Sequence, residues 1–261
     1  METNQHPGPR VAFVGGGAGG IGAAVAAALL ATGHRVVLAG RTEKTLAETA
    51  SALGGAVSYC VCDLAVPAAA ADAVTRVREQ YGSLDVVVAN TGGPAPGGVF
   101  DVPAEQWHHD LDLLVLGPLA LMRAALPAMA ERGFGRVVVT TSTAVRQPQP
   151  ALAASTVLRS ATTSAVKLAA REYADRGVTV NCVAVGATLT PRRLEVVRGR
   201  ADAAGIDVAT AMAQDLADIP AGRAAAPGEV AAAVAFLASA EAGYVNGTVL
   251  TVDGGRTECP A

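Results

Sequence analysis

Residues 11–22 read VAFVGGGAGGIG, an apolar run that passes directly into a glycine-rich turn. The run has the length and composition of a buried strand, and an Ala- and Leu-rich segment with helical spacing follows from Ile21. Glycines between a strand and a helix let the chain turn tightly and bring backbone N–H groups close to a phosphate at the positive end of the helix dipole. The stretch therefore predicts a dinucleotide-binding turn at the edge of an α/β sheet.

Similar apolar runs recur along the chain, and these are RVVLAG at 35–40, LDVVVAN at 84–90, RVVVTTS at 136–142, VTVNCVAVG at 178–186 and TVLTVDGG at 248–255. A further strand-like segment contains Cys60 and Cys62. The runs do not alternate apolar with polar residues, so helices should cover both faces of the sheet. Segments with helical spacing occupy residues 21–31, 42–53, 68–81, 104–131, 152–174 and 227–239. The predicted fold is α/β: a single Rossmann-type, doubly wound parallel sheet of about seven strands, with helices on both faces and the ligand at the carboxyl ends of the strands.

The domain organisation follows from length and composition. The chain has 261 residues, 51% of them hydrophobic, which is enough for one large core and short for two domains. We expect one nucleotide-binding domain at 10–256, between a disordered N-terminus at 1–9 and a C-terminal tail at 257–261. The segment at about 190–223 is charged, Ala-rich and without a strand-like run, and we interpret it as a helical lid over the substrate.

Charge and cysteine content argue against several other classes of protein. The 20 basic and 23 acidic residues are scattered, so no basic block indicates nucleic acid. No uninterrupted apolar run reaches the roughly 18 residues that a membrane span needs, and the N-terminus has no signal character. The four cysteines are too few for a disulfide framework, and Cys60 and Cys62 lack further metal ligands nearby. These features predict a cytoplasmic protein with reduced thiols, no metal site, and no nucleic-acid or membrane partner.

The end of the second strand bears on the choice of cofactor. The strand ends at Ala39-Gly40-Arg41. An acidic side chain here would accept hydrogen bonds from the adenosine ribose and favour NAD(H), whereas an arginine without a neighbouring acid suits a 2′-phosphate. The sequence therefore favours NADP(H) over NAD(H). The alternative is that Arg41 only begins the next helix as a solvated residue.

The order of these motifs resembles the short-chain dehydrogenase/reductase superfamily over nearly the whole chain, with a layout similar to the 3-oxoacyl carrier-protein reductases. The glycine turn fits the family's Gly-x-x-x-Gly-x-Gly pattern, ANTG at 89–92 resembles its Asn-Asn-Ala-Gly stretch, and 219–238 and 243–255 match its closing helix and strand. Besides Arg41, the resemblance implies cofactor contacts at Gly16, Gly20, Ile21, Gly22, Asp63, Leu64, Asn90, Gly92, Gly186 and Thr190. It also implies a homotetramer or homodimer built on the long middle helices and the last strand.

The catalytic positions depart from the family pattern of Asn, Ser, Tyr and Lys. The resemblance places four residues at these positions, in order Leu114, Ser142, Ser155 and Arg159. The Tyr-x-x-x-Lys motif is missing whatever the alignment, because the chain's two lysines, Lys44 and Lys167, do not follow a tyrosine by four residues. An ANTGGP stretch and an arginine at the lysine position resemble a smaller, atypical branch of the family.

Ser142, Ser155 and Arg159 are the candidate catalytic residues. Ser142 is suited to polarising a substrate carbonyl, with help from Thr141 or Thr143, but a serine at the tyrosine position is a much weaker acid than a phenol. Arg159 stays protonated, so the Ser155 and Arg159 pair suits binding better than proton transfer. The alternative is that all three are relics in a pocket that no longer does redox work.

Three functions are compatible with these residues. The leading hypothesis is an oxidoreductase that uses NADP(H) and acts on a small carbonyl or hydroxy compound. The second is a non-redox enzyme, such as a dehydratase, isomerase or cyclase, and the third is a catalytically inactive cofactor-binding protein.

Two groups of charged residues complete the candidate site. Arg192 and Arg193 begin the lid, and together with Arg146 they hint at an anionic substrate. Asp110 lies one turn before Leu114, and we interpret it as a solvated helix acid, with an inward-facing position as the alternative.

Overall fold

The computed structural model describes residues 8–259. Residues 1–7 of the predicted disordered N-terminus and residues 260–261 of the predicted tail lie outside this range. Strands β1 to β7 span Val11–Gly15, Arg35–Gly40, Val57–Val61, Val86–Ala89, Gly135–Ser142, Val178–Val185 and Val249–Val252. Helices α1 to α9 span Gly20–Ala31, Glu43–Leu53, Pro67–Tyr81, Ala104–Leu111, Gly117–Glu131, Ala153–Tyr173, Pro191–Ala204, Val208–Leu216 and Pro227–Ala238. A π-helical turn, Asp112–Leu116, joins α4 to α5.

The strands form one parallel sheet in the order β3-β2-β1-β4-β5-β6-β7. The chain builds outward from β1 to β3, returns to the middle of the sheet, and builds outward again from β4 to β7. The direction of strand order therefore reverses between β1 and β4, where Val14 lies beside Val88. The predicted doubly wound parallel sheet is confirmed, and its reversal point is where such sheets bind their ligands.

The two faces of the sheet carry separate apolar cores. On one face, Phe13 of β1 packs in a cluster with Val74 of α3 and Leu121 of α5. On the other face, Val14 of β1 packs in a cluster with Leu29 of α1 and with Leu237 of α9. Successive residues of a strand point to opposite faces, so a strand covered on both sides needs apolar residues at every position. This explains why the central strands are continuous apolar runs.

Strand β3 lies at one edge of the sheet and did not stand out as a long apolar run. Its residues are only partly buried, and Tyr59 and Val61 are exposed. In the described part of the chain β2 is its single partner strand, and one of its faces is partly open. Its sequence VSYCV therefore mixes polar and apolar residues.

The stretch 104–131, predicted as one helix, contains the π-helical turn and is otherwise helical. By length and composition alone it is apolar enough to cross a membrane, but half of its most apolar window is buried inside the fold. Its second half, α5, packs against α3 and α6. The buried apolar residues of α5, such as Leu121 and Met129, belong to the core on one face of the sheet.

The segment at 190–223 contains α7 and α8 and no strand. The two helices share a small apolar cluster of their own, formed by Val197, Ala201 and Ala211. This cluster is separate from the two cores of the sheet, so the segment is a distinct helical unit beside the carboxyl ends of β6 and β7. Its movement as a lid stays a prediction.

Candidate active site

Two adjoining cavities lie along the carboxyl ends of the strands, with volumes of about 390 and 330 Å³. They share the lining residues Gly93, Pro94 and Arg192, and so form one cleft. The first cavity is lined by the predicted cofactor residues Gly16, Arg41, Asp63, Leu64, Asn90 and Gly92. The second is lined by Ile21, Ser142, Ser155, Arg159, Gly186 and Thr190. The structure thus brings the candidate catalytic residues together at one end of the cleft.

The glycine turn has little room for side chains. Gly16 adopts a φ of 58°, and a Cβ atom there would lie 2.7 Å from the backbone oxygen of Asn90. A Cβ atom on Gly22 would lie 2.0 Å from the oxygen of Gly16. Gly20 and Gly22 do not line either cavity; they shape the turn and the start of α1. No side chain of residues 8–259 caps α1, so its first N–H groups can bind a ligand or solvent. This geometry fits the pyrophosphate of a dinucleotide.

Asn90 connects three central strands where the strand order reverses. Its Nδ2 donates to the oxygen of Gly15 at 3.1 Å, and its Oδ1 accepts from Oγ1 of Thr140 at 3.0 Å. Both ends of its amide are therefore engaged by the scaffold. Asn90 shapes the wall of the first cavity, whereas Arg41 projects from the end of β2 as an exposed side chain without an ion-pair partner among residues 8–259.

Arg159 is a buried cation on the second turn of α6. Its Nη1 donates to the oxygen of Thr140 at 2.7 Å and its Nη2 to the oxygen of Gly92 at 3.0 Å. Burial lowers the pKa of Arg159 to about 10, so the side chain is still charged at neutral pH. No carboxylate pairs with it in the part of the chain that the structure describes. It therefore gives this end of the cleft a positive charge that no neighbouring acid neutralises.

Three hydroxyl-bearing residues line the second cavity near Arg159, and these are Thr141, Ser142 and Ser155. Oγ of Ser142 accepts a hydrogen bond from the N–H of Ala144 at 3.2 Å, which leaves its own hydrogen free to point elsewhere. Ser155 is 5% exposed and lies one turn before Arg159. Oγ1 of Thr141 is buried and has no partner among residues 8–259. The sequence pointed to Thr141 only as an auxiliary group, but its hydroxyl is left without a hydrogen bond.

The π-helical turn places Leu114 beside these residues. Its side chain is buried in a small apolar cluster with Ala154 and Leu158 of α6. Its carbonyl oxygen accepts a hydrogen bond from Oγ1 of Thr162 at 2.6 Å. A π-turn disrupts the regular hydrogen bonding of a helix, and Thr162 satisfies this carbonyl from the neighbouring helix. No signal in the sequence pointed to Thr162.

The interpretation of Asp110 as a solvated acid was wrong. The residue is 1% exposed, and its Oδ1 accepts from Nε2 of Gln106 at 2.9 Å. Its Oδ2 is buried without a partner in the described chain. The face of α4 that carries Gln106, His109 and Asp110 is turned into the first cavity, where the tertiary packing of the helix sets its orientation.

Arg192 connects α7 to the loop after β4. Its Nη2 donates to the oxygens of Gly93 and Pro94, at 3.0 and 3.4 Å. Because all three residues line both cavities, this contact lies across the junction of the cleft. Arg192 was predicted to border the substrate, and the structure also places it next to the cofactor side of the cleft.

In the described chain, the second cavity has one carboxylate, that of Asp215, and this group is bound to Arg193 and Arg200. Among residues 8–259, the ionisable side chains on its wall are those of Arg159, Arg192, Arg193, Arg200, Arg256 and Asp215. Within the described residues, no tyrosine, histidine, lysine or cysteine lines it. A proton delivered here therefore comes from a hydroxyl group, from water or from the substrate.

Comparison with known proteins assigns the chain to a family. A family described as enoyl-(acyl carrier protein) reductase matches residues 16–257. The chain is 33% identical to the short-chain reductase protein NovJ of Streptomyces niveus, over 94% of this chain and 93% of that protein. It is 30% identical to the 3-oxoacyl-[acyl-carrier-protein] reductase FabG of Escherichia coli, over 94% and 96%.

A solved structure agrees with this assignment. A variant of the actinorhodin polyketide ketoreductase, solved with NADPH, superposes with a TM-score of 0.91 at 31% identity, covering 99% of this chain and 100% of that chain. The seven-stranded parallel sheet and the cleft at its carboxyl ends agree with the sequence relationship. The chain belongs to the short-chain dehydrogenase/reductase superfamily of oxidoreductases.

Proposed function

We propose that the protein is an NADP(H)-dependent oxidoreductase that acts on a small carbonyl or hydroxy compound. The observation that carries the proposal is the cleft itself. The glycine turn contacts both cavities, through Gly16 in the first and Ile21 in the second. Arg41 lies in the first cavity, and the candidate catalytic residues lie in the second; these are Ser142, Ser155 and Arg159. A nicotinamide dinucleotide bound along the cleft would therefore have its reactive end next to the three candidate residues.

The cofactor would be held by groups along the whole cleft. The N–H groups at the start of α1 would bind the pyrophosphate, and Arg41 would pair with the 2′-phosphate. Gly186 and Thr190 would lie beside the nicotinamide. NADPH held there would supply the hydride that reduces a carbonyl carbon, and the carbonyl oxygen would take up a proton to give the alcohol.

Ser142 would orient the substrate. Its hydroxyl hydrogen is free to donate to the carbonyl oxygen while its Oγ is held by the N–H of Ala144. The positive charge of Arg159 would stabilise the negative charge that develops on that oxygen. Because the serine hydroxyls are much weaker acids than a phenol, water or a group on the substrate delivers the proton.

The preference for NADP(H) rests on Arg41. Its side chain is exposed, it follows directly after β2, and no carboxylate in residues 8–259 forms an ion pair with it. The ketoreductase whose structure is similar to this chain contains NADPH. Both observations support a 2′-phosphate at this position.

One observation favours a second candidate, a non-redox enzyme or an inactive cofactor-binding protein on the same scaffold. No phenol or ammonium group of the described chain lines the second cavity, and two donors of Arg159 are engaged by backbone oxygens. Such a site binds a polar molecule but has no obvious acid for reduction. The two candidates differ in whether substrate turnover changes the absorbance of the nicotinamide.

The first experiment is a titration of the protein with NADPH and NADH, followed by nicotinamide fluorescence. A panel of small ketones and aldehydes is then screened for loss of NADPH absorbance. Tighter binding of NADPH, together with oxidation by at least one compound, supports the proposal. Binding without oxidation across the panel favours the second candidate, and no binding of either nucleotide refutes both.

We also propose that the protein is a cytoplasmic homotetramer or homodimer without nucleic-acid or membrane partners. Its four cysteines are free, as expected in a reducing compartment. Leu168 and Val157 of α6 are exposed apolar side chains, and Leu116 of the neighbouring π-helical turn is 39% exposed. A second copy of the chain would cover these residues. Light scattering on the purified protein measures the oligomeric state.

A further inference from the structure

One wall of the second cavity is rich in arginine. Arg193 and Arg200 come from α7, and Arg256 comes from the segment after β7. The single carboxylate on the wall, among the residues that the structure describes, is Asp215 of α8. Positive charge therefore exceeds negative charge on this wall, even before Arg192 is counted.

Asp215 holds two of the guanidinium groups side by side. Its Oδ2 accepts from Nη2 of Arg193, and its Oδ1 accepts from Nη1 of Arg200 at 2.9 Å. Arg256 pairs instead with Asp218, whose side chain is 60% exposed. One carboxylate thus serves two arginines, and it fixes the direction in which both guanidinium groups point.

Arg193 has donor capacity that the protein leaves unused. Its side chain is only 20% exposed, and its Nε is buried without a partner in the described chain. Burial lowers the pKa of Arg193, Asp215 raises it, and the charges of Arg256 and Arg200 lower it. The buried Nε shows that Asp215 satisfies this guanidinium group only in part, and the nitrogens of Arg193 that face the cavity therefore favour a further anionic partner.

The arginines of α7 and the candidate catalytic serines line the same cavity. Ser142 and Ser155 line this cavity together with Arg193 and Arg200. A molecule that fills it therefore contacts both. Its reacting carbon would lie near the hydroxyl groups, and its far end would lie against the guanidinium groups.

We propose that Arg193 and Arg200 bind a carboxylate on the substrate, so that the substrate is an oxo acid or hydroxy acid rather than a neutral ketone or alcohol. A planar carboxylate matches the fork of donors on a guanidinium group, and its oxygens would accept from nitrogens that Asp215 leaves free. Asp215 positions the two arginines and competes with the substrate for them. The assignment of an oxo or hydroxy group to the substrate rests on the proposed function. The assignment of a carboxylate at Arg193 and Arg200 does not.

Matched pairs of ligands test this assignment. The probes are straight-chain oxo acids and their methyl esters, which differ only in the charged end, and binding to the NADP⁺-loaded protein is measured by calorimetry. We expect the acid of the best-fitting length to bind about tenfold more tightly than its ester. The preference should weaken at high ionic strength, because salt screens the attraction at this partly exposed wall.

Three variants separate binding from structure. Arg193→Gln should weaken the binding of the oxo acid about tenfold and leave that of the ester unchanged. Arg198→Gln, an exposed arginine of the same helix that does not line the cavity, should change neither. Asp215→Asn should tighten the binding of the acid severalfold, because it removes the competing charge and keeps a side-chain oxygen that accepts a hydrogen bond from one of the arginines. If Arg193 and Asp215 serve only to hold the lid together, Asp215→Asn instead weakens binding as Arg193→Gln does.

The outcomes also separate this assignment from the proposed function. Equal affinity for acid and ester, including no measurable binding of either, overturns the carboxylate site, even if NADPH binds normally. Failure of NADPH to bind, with the acid preference and its loss in Arg193→Gln still measured on the cofactor-free protein, refutes the redox proposal and leaves the carboxylate site in place.

Discussion

Nη1 of Arg159 donates a hydrogen bond to the carbonyl oxygen of Thr140 at 2.7 Å, and this contact joins α6 to β5 beside the candidate active site. The same guanidinium reaches Gly92 in the loop after β4. One buried cation therefore connects three elements that form the cleft. Its position corresponds by resemblance to the family's lysine, but its geometry makes it part of the framework as well as a source of charge.

Replacing Arg159 by methionine should destabilise the protein and weaken cofactor binding. The change leaves the oxygens of Thr140 and Gly92 without their donor, which costs about 1 to 3 kcal/mol for a buried polar group. Urea unfolding measures the loss of stability, and NADPH fluorescence measures the loss of affinity. Arg171→Met, at an exposed position of the same helix, is the matched control and should do neither. Unchanged stability in Arg159→Met would show that the two carbonyls find other donors.

Ser142 and Ser155 should differ in their effects on activity. Ser142→Ala removes the hydroxyl proposed to polarise the carbonyl and should lower kcat about 100-fold with little change in NADPH affinity. Ser155→Ala should reduce kcat by less than about tenfold, because a serine at this position is too weak an acid to carry the proton transfer. Steady-state kinetics on the compound selected by the ketone screen makes the comparison. A larger loss in Ser155→Ala than in Ser142→Ala would reverse the assigned roles.

The pH profile of the reduction should lack an ionisation near neutrality. The second cavity is lined by arginines and by Asp215, which is bound to Arg193 and Arg200. We expect kcat/KM to stay level between about pH 6 and about pH 9. Burial lowers the pKa of Arg159 to about 10, so the group is cationic below that pH and neutral above it. Activity should therefore fall as the pH rises through about 10.

The Arg159→Met variant is the control for the expected loss of activity at high pH. Its remaining activity should not fall through the same pH interval, because the titrating group is absent. An ionisation between about pH 6 and about pH 8 in the wild-type protein would point to a histidine or another group outside the cavity wall, and would contradict the proposed proton route.

The sequence predicted the architecture because the controlling signals are local. The continuous apolar runs follow from burial on both faces of the sheet, and the glycine turn follows from steric contacts such as that between Gly16 and Asn90. The same logic placed Ser142, Ser155 and Arg159 near one another, since the end of β5 and one face of α6 meet at the cleft. Those predictions needed only periodicity, strand order and the family's motif spacing.

The parts that sequence reasoning missed depend on contacts between distant segments. Thr162 caps the carbonyl of Leu114 from another helix, and Asp215 pairs with two arginines of α7. For Asp110 the spacing to Leu114 offered the inward-facing position as an alternative, and only the tertiary packing of α4 decides in its favour. Each case depends on which face of a helix packs against which other segment. Amphipathic spacing alone does not determine these contacts.

Arg41 should control the choice between NADPH and NADH. Its side chain lines the first cavity at the end of β2, where a 2′-phosphate would add a charge-assisted contact that NADH lacks. Arg41→Ala should raise the Kd for NADPH at least about tenfold and leave that for NADH nearly unchanged. Arg41→Asp should go further and invert the preference, because a carboxylate repels the phosphate and accepts hydrogen bonds from the ribose of NADH.

Lys44→Ala removes a nearby cation that does not line the cavity, and it tests whether any positive charge in this region suffices. Nicotinamide fluorescence titrations with both cofactors on all four proteins give the comparison. Equal losses for NADPH and NADH in Arg41→Ala would mean that Arg41 supports the fold of the turn and does not read the 2′-phosphate.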